Sequence, residues 1–222
     1  MDTLEYIGRK FELDFSQKSP IPIYKINREI MAQTLAELNL NLGVEVGVHR
    51  GLHAEILCKN NPNIKLYGID AWQKYSGYHD YSEANISHAH REAIQRLAPY
   101  NCELIEEFSM DAVQNFKTQS LDFVYIDGAH DFKNVAMDIF EWTRRVRIGG
   151  VVYGHDFKRS KGNYLNAVKD VVPAYIYQYG IRPWFILGQT GHNDGLYREG
   201  MQSWMFVRSK SNDNRSVYSS DE

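Results

Sequence analysis

The sequence predicts an α/β protein: a Rossmann-like, seven-stranded, mostly parallel sheet with helices on both faces and an antiparallel hairpin at its C-terminal edge. Three observations predict it. From Leu42 onward, short apolar runs alternate with segments of helical period, the pattern of successive βαβ units. The last two apolar runs, "WFILG" and "SWMFVRS", have no helical segment between them, so they can pair antiparallel. The first run ends in "VEVGVHRG", two glycines bracketing a tight turn into a helix.

Each element follows from its own pattern. Ile26, Ile30, Met31, Thr34, Leu35 and Leu38 recur at helical spacing behind Asn27, a capping residue, and form the one helix expected before Asn41. The preceding "SPIPIY" reads as a proline-punctuated loop. "LGVEVGV" is a buried strand, and "GLHAEILCKN" a helix with Ala54, Leu57 and Cys58 inward. "IKLYGID" is the second strand. A polar, aromatic stretch then leads into a helix through about Leu97, ended by Pro99. "CELIEEF" is the third strand and "SMDAVQNF" a short helix with Ser109 as its cap. "LDFVYID" is the fourth strand, and "DFKNVAMDIFEWTRRV" a helix with Val135, Ile139, Trp142 and Val146 on one side. "IGGVVYGHDF" is the fifth strand. "YLNAVKDVV" is a helix that Pro173 should stop. Residues 1–41 are expected to form an extension packed on a core domain of residues 42–210, and residues 211–222 a disordered tail.

Composition narrows the function. The chain has 222 residues, 43% hydrophobic and 24% charged, with net charge −3. That suits one soluble domain and gives no electrostatic reason to expect nucleic acid. Neither an apolar leader nor a membrane-spanning run is visible, so a cytoplasmic location is expected. Cys58 and Cys102 have no metal-ligand spacing and read as free buried thiols. His88 and His90, two apart on a helix, read as surface residues, and Arg144, Arg145 and Arg147 as a solvated helix end.

In open α/β sheets the ligand lies outside the carboxyl ends of the strands, so the residues there matter most. Gly47 and Gly51 would let a ligand approach the backbone at a helix N-terminus. The spacing lacks the full GxGxxG set of a dinucleotide site, and Glu45 would repel a phosphate. Glu45 suits instead a cationic ligand, with an ammonium or sulfonium group. Asp70 can accept both hydrogen bonds of a ribose diol or cap a helix, and Ser109 and Asp111 stand where an adenine edge would lie.

Taken together, Glu-x-Gly-x-x-x-Gly, "GID", "SMDA", "VYIDGAHDFKNVAMDI" and "IGGVVYGHDF" resemble class I S-adenosylmethionine-dependent methyltransferases. The resemblance is greatest to the small bacterial and viral branch with "YIDGAH" and "GHD" motifs. Macrolide-sugar O-methyltransferases are relatives of that branch, and catechol O-methyltransferases more distant ones. It spans roughly residues 42–208. It implies that Glu45, Gly47 and Gly51, with Val48 between them, cradle the methionine part of S-adenosylmethionine. It implies that Asp70, beside Ala71, binds the ribose; that Ser109, Met110 and Asp111 border the adenine; and that Asp127 and Gly128 complete the cofactor site.

The reaction centre is expected where "YIDGAHD" and "GHDF" end neighbouring strands. Acids there bind a divalent ion in metal-dependent relatives, so Asp127 and Asp156, with His155 as third ligand, are the expected Mg²⁺ or Mn²⁺ site. The competing mechanism uses His130 or His155 as general base, oriented by Asp127 or Asp156. The catalytic candidates are therefore Asp127, His130 and His155. Trp72, Tyr75, Tyr78, His79 and Tyr81, and later Tyr164, Tyr175, Tyr177, Tyr179 and Trp184, suit stacking on sugars or phenols, or packing. "GQTGHNDGLYREGMQ" reads as a lid. The expected function is O-methyl transfer to a sugar or glycan hydroxyl. The alternatives are a phenolic small-molecule acceptor, a non-catalytic cofactor-binding module and, more remotely, a nicotinamide-dependent oxidoreductase. Expected partners are the small-molecule or glycan acceptor and a second copy in a homodimer, with neither nucleic acid nor membrane.

Overall fold

The structure is a computed structural model and describes residues 2–73, 83–158, 166–188 and 202–210. Its eight strands form one sheet in the order β1 (Ile21–Ile23), β7 (Trp184–Leu187), β8 (Ser203–Val207), β6 (Val146–Gly154), β5 (Leu121–Ile126), β2 (Leu42–Val46), β3 (Lys65–Ile69), β4 (Cys102–Ile105). Strand β8 runs antiparallel to β6 and β7, and every other pair is parallel. Chain order reverses between β2 and β5, which makes their carboxyl ends the switch point where ligands bind in such sheets.

Alternation along the strands feeds two apolar layers. Phe123 and Tyr125 of β5 face one side, beneath helices α1 (Thr3–Lys10), α2 (Arg28–Glu37), α3 (Leu52–Asn60) and α4 (Glu83–Leu97). Val124 and Ile126 face the other, beneath α5 (Ser109–Ala112), α6 (Phe132–Arg145) and α7 (Val168–Tyr179). Covering both faces lets β2 be buried along most of its length, as parallel strands usually are. Gly43 within it leaves room for Phe123, whose ring atoms would stand 2.1 Å from an added Cβ.

The seven expected strands are present, and the sheet gains β1, which lies in the stretch read as a loop. Ile21 and Ile23 are buried and Pro22 sits between them in parallel register with β7. Proline cannot donate to a ladder, but an edge strand needs donors on one side only. Helix α1 is a second helix before Asn41. Asp2 caps it by accepting from the Glu5 N–H, and Ile7 anchors it in the core. Asn27 caps α2 as expected, accepting from Ile30 N at 2.8 Å. Pro173 does not stop α7, which continues to Tyr179 because Val172 and Ile176 lie on its buried face. The helix ends at Gly180, in the left-handed conformation that favours glycine.

Candidate active site

The β2–α3 turn is built on positive φ angles. Gly47 has φ 90°, His49 50° and Gly51 74°. At Gly47 a Cβ would stand 2.1 Å from the backbone oxygen of Asp127, so the position accepts glycine alone without a shift of the adjoining strand end. His49 occupies a conformation that costs an L-residue on the order of 1–2 kcal/mol. Two bonds hold it there. Its N–H donates to Asp70 Oδ2 at 2.8 Å, and its carbonyl accepts from Trp72 Nε1 at 2.8 Å. Trp72 is itself left-handed at φ 42°, and its N–H donates to Asp70 Oδ1. Asp70 thus ties both loops together, each oxygen keeping a lone pair for a ligand. Burial raises its pKa, against the backbone donors of Trp72 and His49.

A cavity of about 770 Å³ opens over this turn, within the size range of small-molecule sites. Gly47, Asp70, Ala71, Ser109, Met110, Asp127, Gly128, His130, His155 and Asp156 line it. Glu45, Val48, Gly51 and Asp111 do not. Glu45 is buried and bonds His53 Nδ1 at 3.1 Å, with the His53 ring 3.8 Å from that of Tyr125. Burial raises the pKa of Glu45, against the opposing pull of His53. Val48 packs over Gly68, Gly51 packs on Leu97 as the α3 cap, and Asp111 is exposed.

Ser109 is not a cap either. Helix α5 has Phe108 in that place, and the Ser109 hydroxyl donates to Asp138 Oδ1 at 2.5 Å while accepting from Trp142 Nε1 at 2.8 Å. Asp138, from α6, also lines the cavity, and burial pushes its pKa up to about 7. It is a site residue the sequence reading missed, because it sits on the inward stripe of an amphipathic helix. So is Arg28 of α2, whose Nη2 lies 3.2 Å from His155 Nε2.

The acid–histidine cluster stands across β5 and β6. Asp127 N donates to Val46 O and His155 N to Ile126 O, which draws the three strand ends together. His130 Nε2 lies 3.0 Å from Asp156 Oδ2 and 3.6 Å from Asp127 Oδ1. Burial disfavours the imidazolium, yet Asp127 and Asp156 outweigh it and push His130 up to about 9. Asp156 is correspondingly held low by His130 and His155 in spite of its burial. Its φ of 57° makes it a third left-handed non-glycine residue on the cavity wall, after His49 and Trp72. Such backbone strain tends to collect at functional sites.

The gathered ligand atoms differ by one residue from the expected Asp127, His155 and Asp156. Asp127, His130 and Asp156 offer one ligand atom each within 4.8 Å of one another; His130, not His155, completes the group. A guanidinium only donates, so His155 Nε2 must accept from Arg28 and the ring carries its proton on Nδ1. That nitrogen faces Asp156 Oδ1 at 3.4 Å and Asp127 Oδ1 at 3.9 Å.

The remaining expectations divide. Trp72 lines the cavity, stacked at 4.3 Å on His90, which is therefore half-buried packing and not a surface residue. Tyr175 and Tyr179 pack on each other and Trp184 on Phe157, while Tyr177 is exposed; none lines the cavity. Arg145 is buried against Glu141 and the Val113 carbonyl, and Arg147 pairs with Asp122, so only Arg144 fits a solvated helix end. Cys58 and Cys102 are free thiols. Among the described residues no helix is long and apolar enough to cross a membrane. Tyr75, Tyr78, His79, Tyr81, Tyr164, nearly all of the expected lid and the tail from residue 211 lie outside the described residues.

A methyltransferase-domain family matches residues 44–157, just over half of the chain and the stretch that carries the switch point and both acid–histidine motifs. The chain belongs to this methyltransferase family and has the class I, Rossmann-like form. Among solved structures it is similar to the O-methyltransferase TomG from Streptomyces achromogenes, involved in tomaymycin synthesis and in complex with S-adenosylmethionine. The TM-score is 0.57 at 16% identity, covering 93% of this chain and 89% of that one. It is also similar to an O-methyltransferase from Bacillus cereus in complex with S-adenosylhomocysteine, with TM-score 0.56 at 17% identity and the same coverage. A curated relative, the uncharacterized protein y4gI of Sinorhizobium fredii (strain NBRC 101917 / NGR234), is 23% identical over 119 residues. The match spans 51% of this chain and 13% of that protein.

Proposed function

We propose that this chain transfers a methyl group from S-adenosylmethionine to a hydroxyl oxygen of a sugar or glycan. One observation carries the reading: within a methyltransferase-family domain, a single cavity joins Asp70, Ser109 and Met110 to Asp127, His130 and Asp156. The first group suits a nucleoside, the second a reaction that must handle a hydroxyl proton. Both structural neighbours named above are O-methyltransferases, which supports oxygen as the acceptor atom. The indole of Trp72, stacked on His90, borders the cavity, and aromatic side chains suit packing against sugar rings.

Two carboxylates and an imidazole within 4.8 Å fit a divalent cation such as Mg²⁺ or Mn²⁺. Such an ion would lower the pKa of a hydroxyl bound to it. Asp127, His130 and Asp156 would hold it, and His130 would give up its proton on binding. Neither imidazole is set as a hydroxyl base by its protein partners. His130 carries a proton between two acids, and His155 Nε2 faces Arg28. This favours the cation-assisted route over a histidine base.

The test is calorimetric titration with S-adenosylhomocysteine, with Mg²⁺ and after EDTA, followed by transfer assays on nucleotide sugars, glycans and catechols. Micromolar binding and metal-dependent transfer to a sugar are expected. Absence of cofactor binding would sink the proposal, and transfer to catechols alone would replace the acceptor with a phenol.

A further inference from the structure

We propose that Asp138, held by Ser109, reads the 6-amino group of the adenine and so sets the cofactor's base specificity. The inference rests on the cofactor reading above and adds a residue from α6 to it. Asp138 is 3% exposed and lies on the cavity wall. Its Oδ1 is taken by the Ser109 hydroxyl at 2.5 Å, and Ser109 is in turn fixed by the indole N–H of Trp142 at 2.8 Å. The carboxyl therefore has one orientation. Its other oxygen, Oδ2, lies beside Gly128, 3.6 Å from where a Cβ there would stand. Gly128 has ordinary room for a side chain, so the glycine is not forced by packing. Its absence of a side chain leaves Oδ2 reachable from the cavity.

A carboxyl oxygen buried to this degree calls for a donor, and the surrounding wall tells which kind. Ile69, Phe108 and Met110 offer apolar surface that suits the faces of a flat ring, and Asp70 stands apart, just past the end of β3, for the ribose. A purine bearing an amino group supplies both the flat faces and the donor. Against the ionised carboxylate, a 6-oxo purine would bring its carbonyl to Oδ2, acceptor against acceptor. Sites built around such a hydrogen bond reject the mismatched analogue strongly, because the buried group is left unpaired.

The experiment compares S-adenosylhomocysteine with S-inosylhomocysteine, its 6-oxo analogue, by calorimetry on the wild-type protein and on Asp138→Asn, at about pH 8.5, where the Asp138 carboxyl is ionised. The wild type should favour the adenosyl ligand at least about tenfold. In Asp138→Asn the amide oxygen should keep the Ser109 bond, since the Ser109 oxygen already accepts from Trp142. The amide nitrogen then faces the cavity, so the preference should shrink or invert, with a wild-type circular dichroism spectrum and a single cooperative unfolding transition as the control for folding. Equal wild-type affinities, or a wild-type ratio retained in the variant, would overturn the inference while leaving the cofactor in place. Failure of the wild type to bind either ligand would remove the cofactor reading and this inference with it.

Discussion

Asp127 joins the β2–α3 turn to the acid–histidine cluster. Its backbone closes the Gly47 turn, and its side chain accepts from Tyr125 Oη at 3.2 Å while facing His130 and His155. Asp127→Asn should lower the transfer rate by at least about 100-fold while S-adenosylhomocysteine still binds. A rate within a few-fold of wild type would take Asp127 out of the chemistry. Tyr125 works through Asp127 from beneath the cavity, seated on the His53–Glu45 pair. Tyr125→Phe should therefore weaken metal-stimulated turnover by about tenfold, in line with other outer-sphere partners, and spare cofactor affinity. Equal loss of both would mark Tyr125 as a packing residue only. Glu45 was legible in the sequence as an acid before a glycine turn, but its partner was not. Burial beside His53 depends on α3 folding back over β2, which no local pattern encodes.

At the scale of elements, local signals succeeded where one residue's chemistry decides the outcome and failed where packing overrides it. Asn27 caps α2, and the βαβ alternation from Leu42 to Gly154 is met strand by strand. Pro173 is the opposite case. Its missing N–H leaves the Lys169 carbonyl without its usual intrahelical donor, yet the buried stripe of Val168, Val172 and Ile176 carries α7 through. Pro173→Ala should raise unfolding stability by about 1 kcal/mol or more, measured by urea titration; no gain would mean that the helix has already absorbed the break. "SPIPIY" misleads in the same way, because Ile21 and Ile23 find a partner edge 164 residues later in the chain. Gly47→Ala tests the turn itself. A Cβ 2.1 Å from Asp127 O should cost about 2–4 kcal/mol and disturb both strand ends, seen as a lowered unfolding midpoint together with lost cofactor binding.

For the molecule as a whole, buried titrating groups predict a slope of stability with pH. Asp138 is raised from its ordinary range to about 7, so its contribution is full below pH 3.8 and lost as pH climbs through 7. His130 is raised to about 9, so its contribution is full below pH 6.5 and lost as pH climbs through 9. Asp156, held low, acts only in acid, where its contribution fades as pH falls. The ligand-free protein should thus be less stable at pH 9 than at pH 5.5 by roughly a few kcal/mol, and His130→Gln or Asp138→Asn should flatten the slope. Urea unfolding at the two pH values decides it; a stability that rises toward pH 9 would contradict the burial of Asp138 and the pairing of His130 with Asp127 and Asp156.

Arg28 has a consequence for how members of this family can be compared or recombined. The family match begins at residue 44, yet the guanidinium that fixes the proton on His155 comes from sixteen positions upstream. Grafting residues 44–157 onto another member would move the pocket's floor while leaving its electrostatic counterweight behind. A chimera of that kind would inherit the motifs of this protein and the histidine chemistry of its host.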